Sequence, residues 1–189
     1  MCVCVCIDAE EAYEFVLKNV GHDIMAGQLW LDFIAFTKTR PVTDSRDTTE
    51  RNMAVRRAYQ RAVVMPTNAI DTLWKEYDVF EHSLNKELAV GLTTEYLPRK
   101  TMAAKVVRQR KKLRDIVMSH LPPLGLPRPI PRASDQQARD YQLFLAWQEC
   151  IAYEKSNPAK LNPRDLKDTV MRFASFSLFV MHGSGSNII

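Results

Sequence analysis

The residues that could take part in chemistry are few and lie far apart in the 189-residue sequence. The four histidines, at positions 22, 82, 120 and 182, occur in no catalytic or metal-binding motif. There is no GxGxxG, P-loop, GxSxG or HExxH pattern. Glycine, which loops that wrap phosphates require, makes up only 6 residues. These features favour a protein that is not an enzyme and binds no cofactor.

Sites based on cysteine are also disfavoured. Cys2, Cys4 and Cys6 are crowded at the N-terminus, and Cys150 stands alone. A closed zinc site requires four ligands, and a disulfide framework requires a second cluster with which these cysteines can pair. We therefore predict no metal, a reducing compartment, and an unstructured N-terminal end over residues 1–8.

Positive charge is concentrated in one stretch. The net charge is +4, but eight basic residues and no acidic residue occur from 99 to 114, leaving 18 basic against 22 acidic residues elsewhere. Two interpretations are open: a solvated helix face, or a docking surface for RNA or an acidic protein. No aromatic residue is interleaved for base stacking, which disfavours sequence-specific reading of RNA. The candidate docking residues are Arg99, Lys100, Lys105, Arg108, Arg110, Lys111, Lys112 and Arg114.

The elements that must position these residues are predicted to be helices. Apolar residues recur at helical spacing through most of the chain, with Asn68 as an N-cap and Pro98 as a break. No apolar run is long enough for a membrane-spanning helix. Five prolines within residues 122–131 predict a loop over 121–133, and residues 182–189 are predicted to be a flexible tail. The predicted helices cover about 9–20, 23–39, 51–64, 69–84, 86–96, 100–120, 134–155 and 166–181.

Bulky residues recur with the same offsets in three segments. Each segment has a tryptophan followed by bulky residues three and six positions later, and two segments add a glutamate at seven. These positions share one helix face, which needs a partner helix and a neighbouring repeat to be buried. Three matching offsets favour a repeat over an irregular bundle with an aromatic core. The segments are Trp30, Phe33 and Phe36; Trp74, Tyr77, Phe80 and Glu81; and Trp147, Cys150, Tyr153 and Glu154.

A second pattern, Ala-Tyr, alternates with the first. It occurs at Ala12-Tyr13 and Ala58-Tyr59, and in the third instance we assign Val107 to the tyrosine position. The two glutamates are predicted to be structural, each pairing with an arginine such as Arg61. The sequence therefore predicts an all-α protein of antiparallel helix pairs.

Together the two patterns resemble the half-a-TPR (HAT) repeat of RNA-processing proteins. The residues that carry this resemblance are Trp-x-x-Tyr-x-x-Phe-Glu at 74–81 and Arg-x-Ala-Tyr-x-Arg-Ala at 56–62. Segments 23–36, 54–81 and 154–158 are similar to the suppressor-of-forked family, the large HAT-repeat subunit of cleavage stimulation factor, and segment 92–113 is most similar to its plant members. Three positions depart from the pattern: Phe15 replaces an arginine, Thr37 a glutamate and Val107 a tyrosine.

The resemblance implies an α-solenoid of HAT/TPR-like helix pairs, with HAT repeats over 9–120 and an incomplete repeat over 134–181. It implies an internal part of the family's N-terminal HAT region, without the dimerisation region. The implied function is a non-enzymatic scaffold that holds subunits of the nuclear cleavage and polyadenylation machinery together, with RNA bound through an RRM-containing partner. Two alternatives remain: a HAT scaffold of splicing or ribosomal-RNA assembly, and a generic TPR-like peptide-binding module.

Overall fold

Helices make up nearly all of the part of the chain that the computed structural model describes, which is residues 3–120 and 133–183. Side chains are described for residues 9–120, 137–171, 174 and 175. No strand occurs within the described backbone, so the predicted all-α class is confirmed. The α-helices are α1 (Val3–Val20), α2 (Gly27–Lys38), α3 (Ser45–Ala62), α4 (Ile70–Leu84), α5 (Lys86–His120), α6 (Ala133–Lys155) and α7 (Pro163–Gly183), with a 3₁₀ turn at Ile24–Ala26 before α2.

The chain forms two compact units, and the boundary between them lies within α5. The first comprises Met1–Val107 and the second Arg108–Ile189. In the first unit, α3 packs against α2 and α4 and α1 packs against α2; in the second, α6 packs against α7. Most of the proline-rich loop predicted at 121–133 and the end of the tail predicted at 182–189 lie outside the described residues.

Two helices each begin six residues earlier than the sequence indicates. α1 starts at Val3, so residues 3–8 are helical rather than unstructured; no glycine or proline in this segment opposes a helix. α3 starts at Ser45 because Asp44 caps it, its Oδ1 accepting from the backbone N–H of Asp47 at 2.8 Å. The first turns of α3 are polar, so apolar periodicity gave no sign of them.

Pro98 does not break the helix that contains it. α5 runs unbroken from Lys86 to His120 with Pro98 inside. A proline removes one N–H, whose helical acceptor would be the carbonyl four residues earlier. That residue, Thr94, is exposed, so water can hydrate its carbonyl and the cost of the lost bond is limited.

The loop between α3 and α4 is held against the start of α2. The backbone N–H of Asn68 donates to the carbonyl of Ile24 at 2.7 Å, while Ala69, not Asn68, occupies the N-cap position of α4. A Cβ at Gly27 would lie 2.2 Å from Asn68 Oδ1 and 2.8 Å from the backbone nitrogen of Ala69. Glycine at position 27 is therefore required for this approach.

Candidate functional site

One packing arrangement recurs where consecutive helix pairs meet. A bulky side chain from one helix inserts against the residues three and six positions after the tryptophan of a later helix. Tyr13 of α1 does this with ring centroids 5.7 Å from Phe33 and 5.3 Å from Phe36. Tyr59 of α3 does so at 5.9 Å from Tyr77 and 5.6 Å from Phe80.

In the second unit the inserted residue is Leu113, not Val107. Leu113 belongs to the buried cluster that includes Trp147 and Cys150, with Tyr153 packed against it. The assignment of Val107 to the tyrosine position is therefore wrong. The missed signal is a spacing shared by α3 and α5, in which an arginine is followed three and seven residues later by core residues: Arg56, Tyr59 and Val63, and Arg110, Leu113 and Val117.

Those two arginines form bidentate ion pairs with the two repeated glutamates. Arg56 Nε and Nη2 each lie 2.8 Å from an oxygen of Glu81, and the Arg110 guanidinium makes the same pair of 2.8 Å contacts with Glu154. Both side chains of the second pair are buried, at 5% and 3% exposure. Hydrogen bonds that Arg56 donates to the Glu81 carboxylate raise the pKa of Arg56 above its ordinary value. Charge pairing thus allows four ionised groups to lie at helix junctions.

This pairing changes two assignments made from the sequence. Arg110 is buried, so it does not belong to a solvent-exposed docking surface. Arg61 is not the partner of Glu81; it pairs with Glu14 at 2.6 and 2.9 Å, and its guanidinium lies 5.5 Å from the Trp30 ring centroid. Five residues separate Arg61 from Arg56, a rotation of roughly 140° around a helix, so the two arginines point to different neighbours.

The first helix junction lacks the arginine–glutamate pair. Glu10 occupies the position of Arg56, and Thr37 that of Glu81. Thr37 donates its hydroxyl to the carbonyl of Phe33 at 2.8 Å, and Glu10 pairs with Arg40 at 2.7 Å. The sequence shows threonine in place of the repeated glutamate at position 37, and α1 has glutamate in place of the arginine at position 10. Both members of the pair are therefore changed at this junction.

The three tryptophans are not equally buried. Trp30 is 2% exposed and Trp147 6%, whereas Trp74 is half-buried. Trp30 also donates its Nε1–H to the carbonyl of Gly21 at 3.0 Å. Trp74 packs against Tyr77, with ring centroids 5.9 Å apart. Identical offsets in the sequence therefore give different environments.

A polar chain links three helices of the first unit. Lys38 Nζ of α2 donates to the Tyr59 hydroxyl at 2.7 Å, and that hydroxyl donates to Glu76 of α4 at 2.9 Å. Desolvation, with the nearby Glu76 carboxylate, raises the pKa of Tyr59 well above its ordinary value. The tyrosine therefore stays protonated and acts as a hydrogen-bonding link between helices.

The remaining basic residues of α5 divide into two groups. Arg99 lies 5.1 Å from the Tyr96 ring centroid and 3.8 Å from Glu95, and Lys100 pairs with Asp71 at 2.6 Å. The other five candidates, Lys105, Arg108, Lys111, Lys112 and Arg114, are exposed.

Cys150 is a free thiol in the core of the second unit. Desolvation, together with the carboxylates of Glu149 and Glu154, raises its pKa to about 11. Among the residues that the structure describes, no three His, Cys, Asp or Glu side chains are grouped to hold a metal ion, and no helix is long and apolar enough to cross a membrane.

We expect Cys150 to react with a thiol reagent only when the second unit opens. In a variant with the other three cysteines changed to serine, labelling at about pH 8 should be at least ~100-fold slower than that of a small free thiol. Burial raises the pKa of the Cys150 thiol from 9.0 to about 11. The contribution of this thiol to the free energy of unfolding is therefore present below about pH 9 and is lost as the pH rises through its pKa in the folded state. Labelling in denaturant is the control; equally fast labelling of the folded chain would contradict the burial of this thiol.

These helix junctions define the protein as an α-helical repeat protein of the HAT type. The chain belongs to the family described as Suppressor of forked protein (Suf), which it matches over residues 7–179. The family predicted from the sequence is therefore confirmed.

Relatives and a solved structure agree with this assignment. The chain is 33% identical over 158 residues to cleavage stimulation factor subunit 77 of Arabidopsis thaliana, covering 82% of this chain and 20% of that protein. It is 35% identical over 164 residues to the mRNA 3'-end-processing protein RNA14 of Cryptococcus neoformans var. neoformans, covering 87% of this chain and 15% of that protein. The crystal structure of CstF-77 matches 90% of this chain, and 32% of its own, with a TM-score of 0.62 and 20% identity. The α-solenoid fold class is thus confirmed, and the chain spans a fifth or less of these curated relatives' length.

Proposed function

We propose that this chain is a non-enzymatic scaffold segment in nuclear pre-mRNA 3'-end cleavage and polyadenylation. Its relatives are named as a cleavage stimulation factor subunit and as mRNA 3'-end-processing proteins. The segment would hold protein subunits of that machinery together through HAT repeats over 9–120 and 134–181. RNA would be contacted through a partner that carries an RRM domain.

The observation that carries the proposal is how the charged residues at the helix junctions are used. The buried Glu81, Arg110 and Glu154 have bidentate ion-pair partners that link separate helices. Groups held in this way link helices, whereas acid–base catalysis needs a titratable group that faces a substrate. This use of the buried charged residues supports an assembly role more than an enzymatic one.

The test is complementation combined with co-purification. Residues 7–179 would replace the matching segment of the Arabidopsis relative, and 3'-end cleavage and nuclear co-purifying proteins would be measured in cells depleted of that relative. We expect cleavage to be restored and cleavage and polyadenylation subunits to be enriched. The matched control is the same chimera carrying Glu154→Ala, which should fail because the second unit loses a buried ion-pair partner.

Two results would contradict the proposal. One is enrichment of splicing or ribosomal-RNA assembly factors in place of polyadenylation factors. The other is a well-expressed, folded chimera that restores no cleavage while the parent relative does. Either would favour a HAT scaffold of another RNA pathway or a generic peptide-binding module.

A further inference from the structure

An exposed seam runs along α6 on the side opposite its buried residues. Its six members follow the alternating three- and four-residue spacing of the a and d positions in coiled coils, and all six are exposed. The seam lies wholly within the second compact unit. Tyr141 is 59% and Leu145 38% exposed. The seam consists of Ala138, Tyr141, Leu145, Gln148, Ala152 and Lys155.

Large apolar side chains are concentrated in the first half of this seam. Tyr141 and Leu145 lie beside Phe144, which is 39% exposed, and the three form one patch on the helix surface. In the first unit, the residues six and two positions before the tryptophan of α4 are polar, namely Asn68 and Thr72. The packing of the repeat therefore does not require large apolar side chains at these two positions, and a contiguous exposed patch of them favours contact with another protein.

The seam is complementary to itself when a second copy lies antiparallel to it. Its spacings are 3, 4, 3, 4 and 3 residues in either direction, so a reversed copy meets it in register. Tyr141 then lies opposite Ala152 of the second copy, and Leu145 lies opposite Gln148. A bulky side chain thus meets a small or flexible one at each of these positions, which is how facing helices interdigitate.

The residues beside the seam fit the same pairing. A two-fold axis perpendicular to the helices brings each flank of the seam against the same flank of the second copy. On one flank the carboxylate of Glu149 meets the amide of Gln142, and on the other flank Phe144 meets Ile151. The antiparallel arrangement therefore pairs a polar flank with a polar flank and an apolar flank with an apolar flank.

The other charged side chains of this span do not oppose the pairing. Arg139 and Asp140 are rotated by roughly 160° and 100° around the helix from Tyr141, so they point away from the second copy. Lys155 lies at the end of the seam, where its ammonium group stays hydrated. Glu154 is buried in its ion pair on the opposite side of α6. Antiparallel pairing therefore places no like charges against each other.

We propose that α6 binds α6 of a second copy of this chain, antiparallel along this seam, to form a symmetric dimer. A parallel pairing fits less well, because each residue would face its own copy: Lys155 would meet Lys155, and Ala152 would leave a gap beside Ala152. The inference goes beyond the proposed role in 3'-end processing, because it depends on one face of α6 alone. The family's dimerisation region, which the resemblance places outside this chain, takes no part in it.

Sedimentation equilibrium of the full 189-residue chain measures the pairing. One helix pair buries less area than a standard protein interface, so we expect a dissociation constant on the order of 10–100 µM. Leu145→Glu should weaken the dimer by roughly tenfold or more, because the new carboxylate would be desolvated against the second copy. The matched control is Val79→Glu on α4, at a residue that is 69% exposed; it should change the dissociation constant by less than about twofold.

Cross-linking tests the register without altering the seam. In a background with Cys2, Cys4 and Cys6 changed to serine, one chain would carry Gln142→Cys and the other Glu149→Cys. Oxidation of the mixture should join the two chains by a disulfide, whereas neither variant alone should form a linked dimer, because its two new cysteines would be too far apart.

Three results would overturn the proposal. The first is a chain that stays monomeric up to about 1 mM. The second is a dimer that Leu145→Glu weakens no more than Val79→Glu does, with circular dichroism establishing that both variants keep their helicity. The third is a mixture of the two cysteine variants that forms no cross-link.

Discussion

Replacing Glu154 by alanine is expected to lower the free energy of unfolding of the second unit by about 3–5 kcal/mol. Glu154 is 2% exposed and accepts two hydrogen bonds from the Arg110 guanidinium at 2.8 Å. Without the carboxylate, that guanidinium stays in the core and loses both of these charge-assisted hydrogen bonds, which offset part of its desolvation. Urea unfolding followed by circular dichroism measures the loss.

A double replacement separates two effects: the net contribution of the ion pair to stability, and the loss of stability when only one of its members is removed. Arg110→Met with Glu154→Leu should recover much of the lost stability, because apolar residues of similar size can replace a buried ion pair at little cost. The matched control is Glu50→Ala, which removes the exposed i,i+4 pair of Arg46 with Glu50 on α3 and should change stability by less than about 0.5 kcal/mol. A Glu154→Ala effect no larger than that of the control would show that the pair contributes little.

Trp30→Ala is expected to cost about 3–5 kcal/mol, whereas Trp74→Ala should cost about 1–2 kcal/mol. Trp30 is 2% exposed, packs edge-on to Phe33 at 6.5 Å, and lies below the Arg61 guanidinium. Its removal would leave a cavity among α1, α2 and α3. Trp74 is half-buried, so solvent can fill part of the space that it vacates.

Trp30→Ala and Trp74→Ala would be measured in the same background, because the decisive result is which of the two loses more stability. Trp30→Phe provides a further control, since it keeps most of the volume but removes the hydrogen bond to the Gly21 carbonyl; it should cost about 1–2 kcal/mol. Equal losses for Trp30→Ala and Trp74→Ala, or a larger loss for Trp74→Ala, would show that burial in the isolated chain does not govern the two sites.

Local patterns in the sequence were sufficient for the class of fold. The positions three and six residues after each tryptophan lie on one helix face because an α-helix has a fixed period, so the contacts of Tyr59 with Tyr77 and Phe80 follow from spacing together with helix pairing. Local patterns failed where the relevant signal was polar or only partly local. Ser45 begins α3 through a cap at Asp44, and α5 continues through Pro98 because one lost hydrogen bond at an exposed turn is tolerated.

The sequence by itself determined that this protein is built from helix pairs with aromatic faces, and that two glutamates hold equivalent places in them. Only the tertiary structure decided which arginine each glutamate meets, since Arg56 and Arg110 lie 25 and 44 residues away from their partners. Helical periodicity places a side chain on a face, but the crossing of two helices selects the partner. The same crossing moved Arg110 from the basic surface into the core.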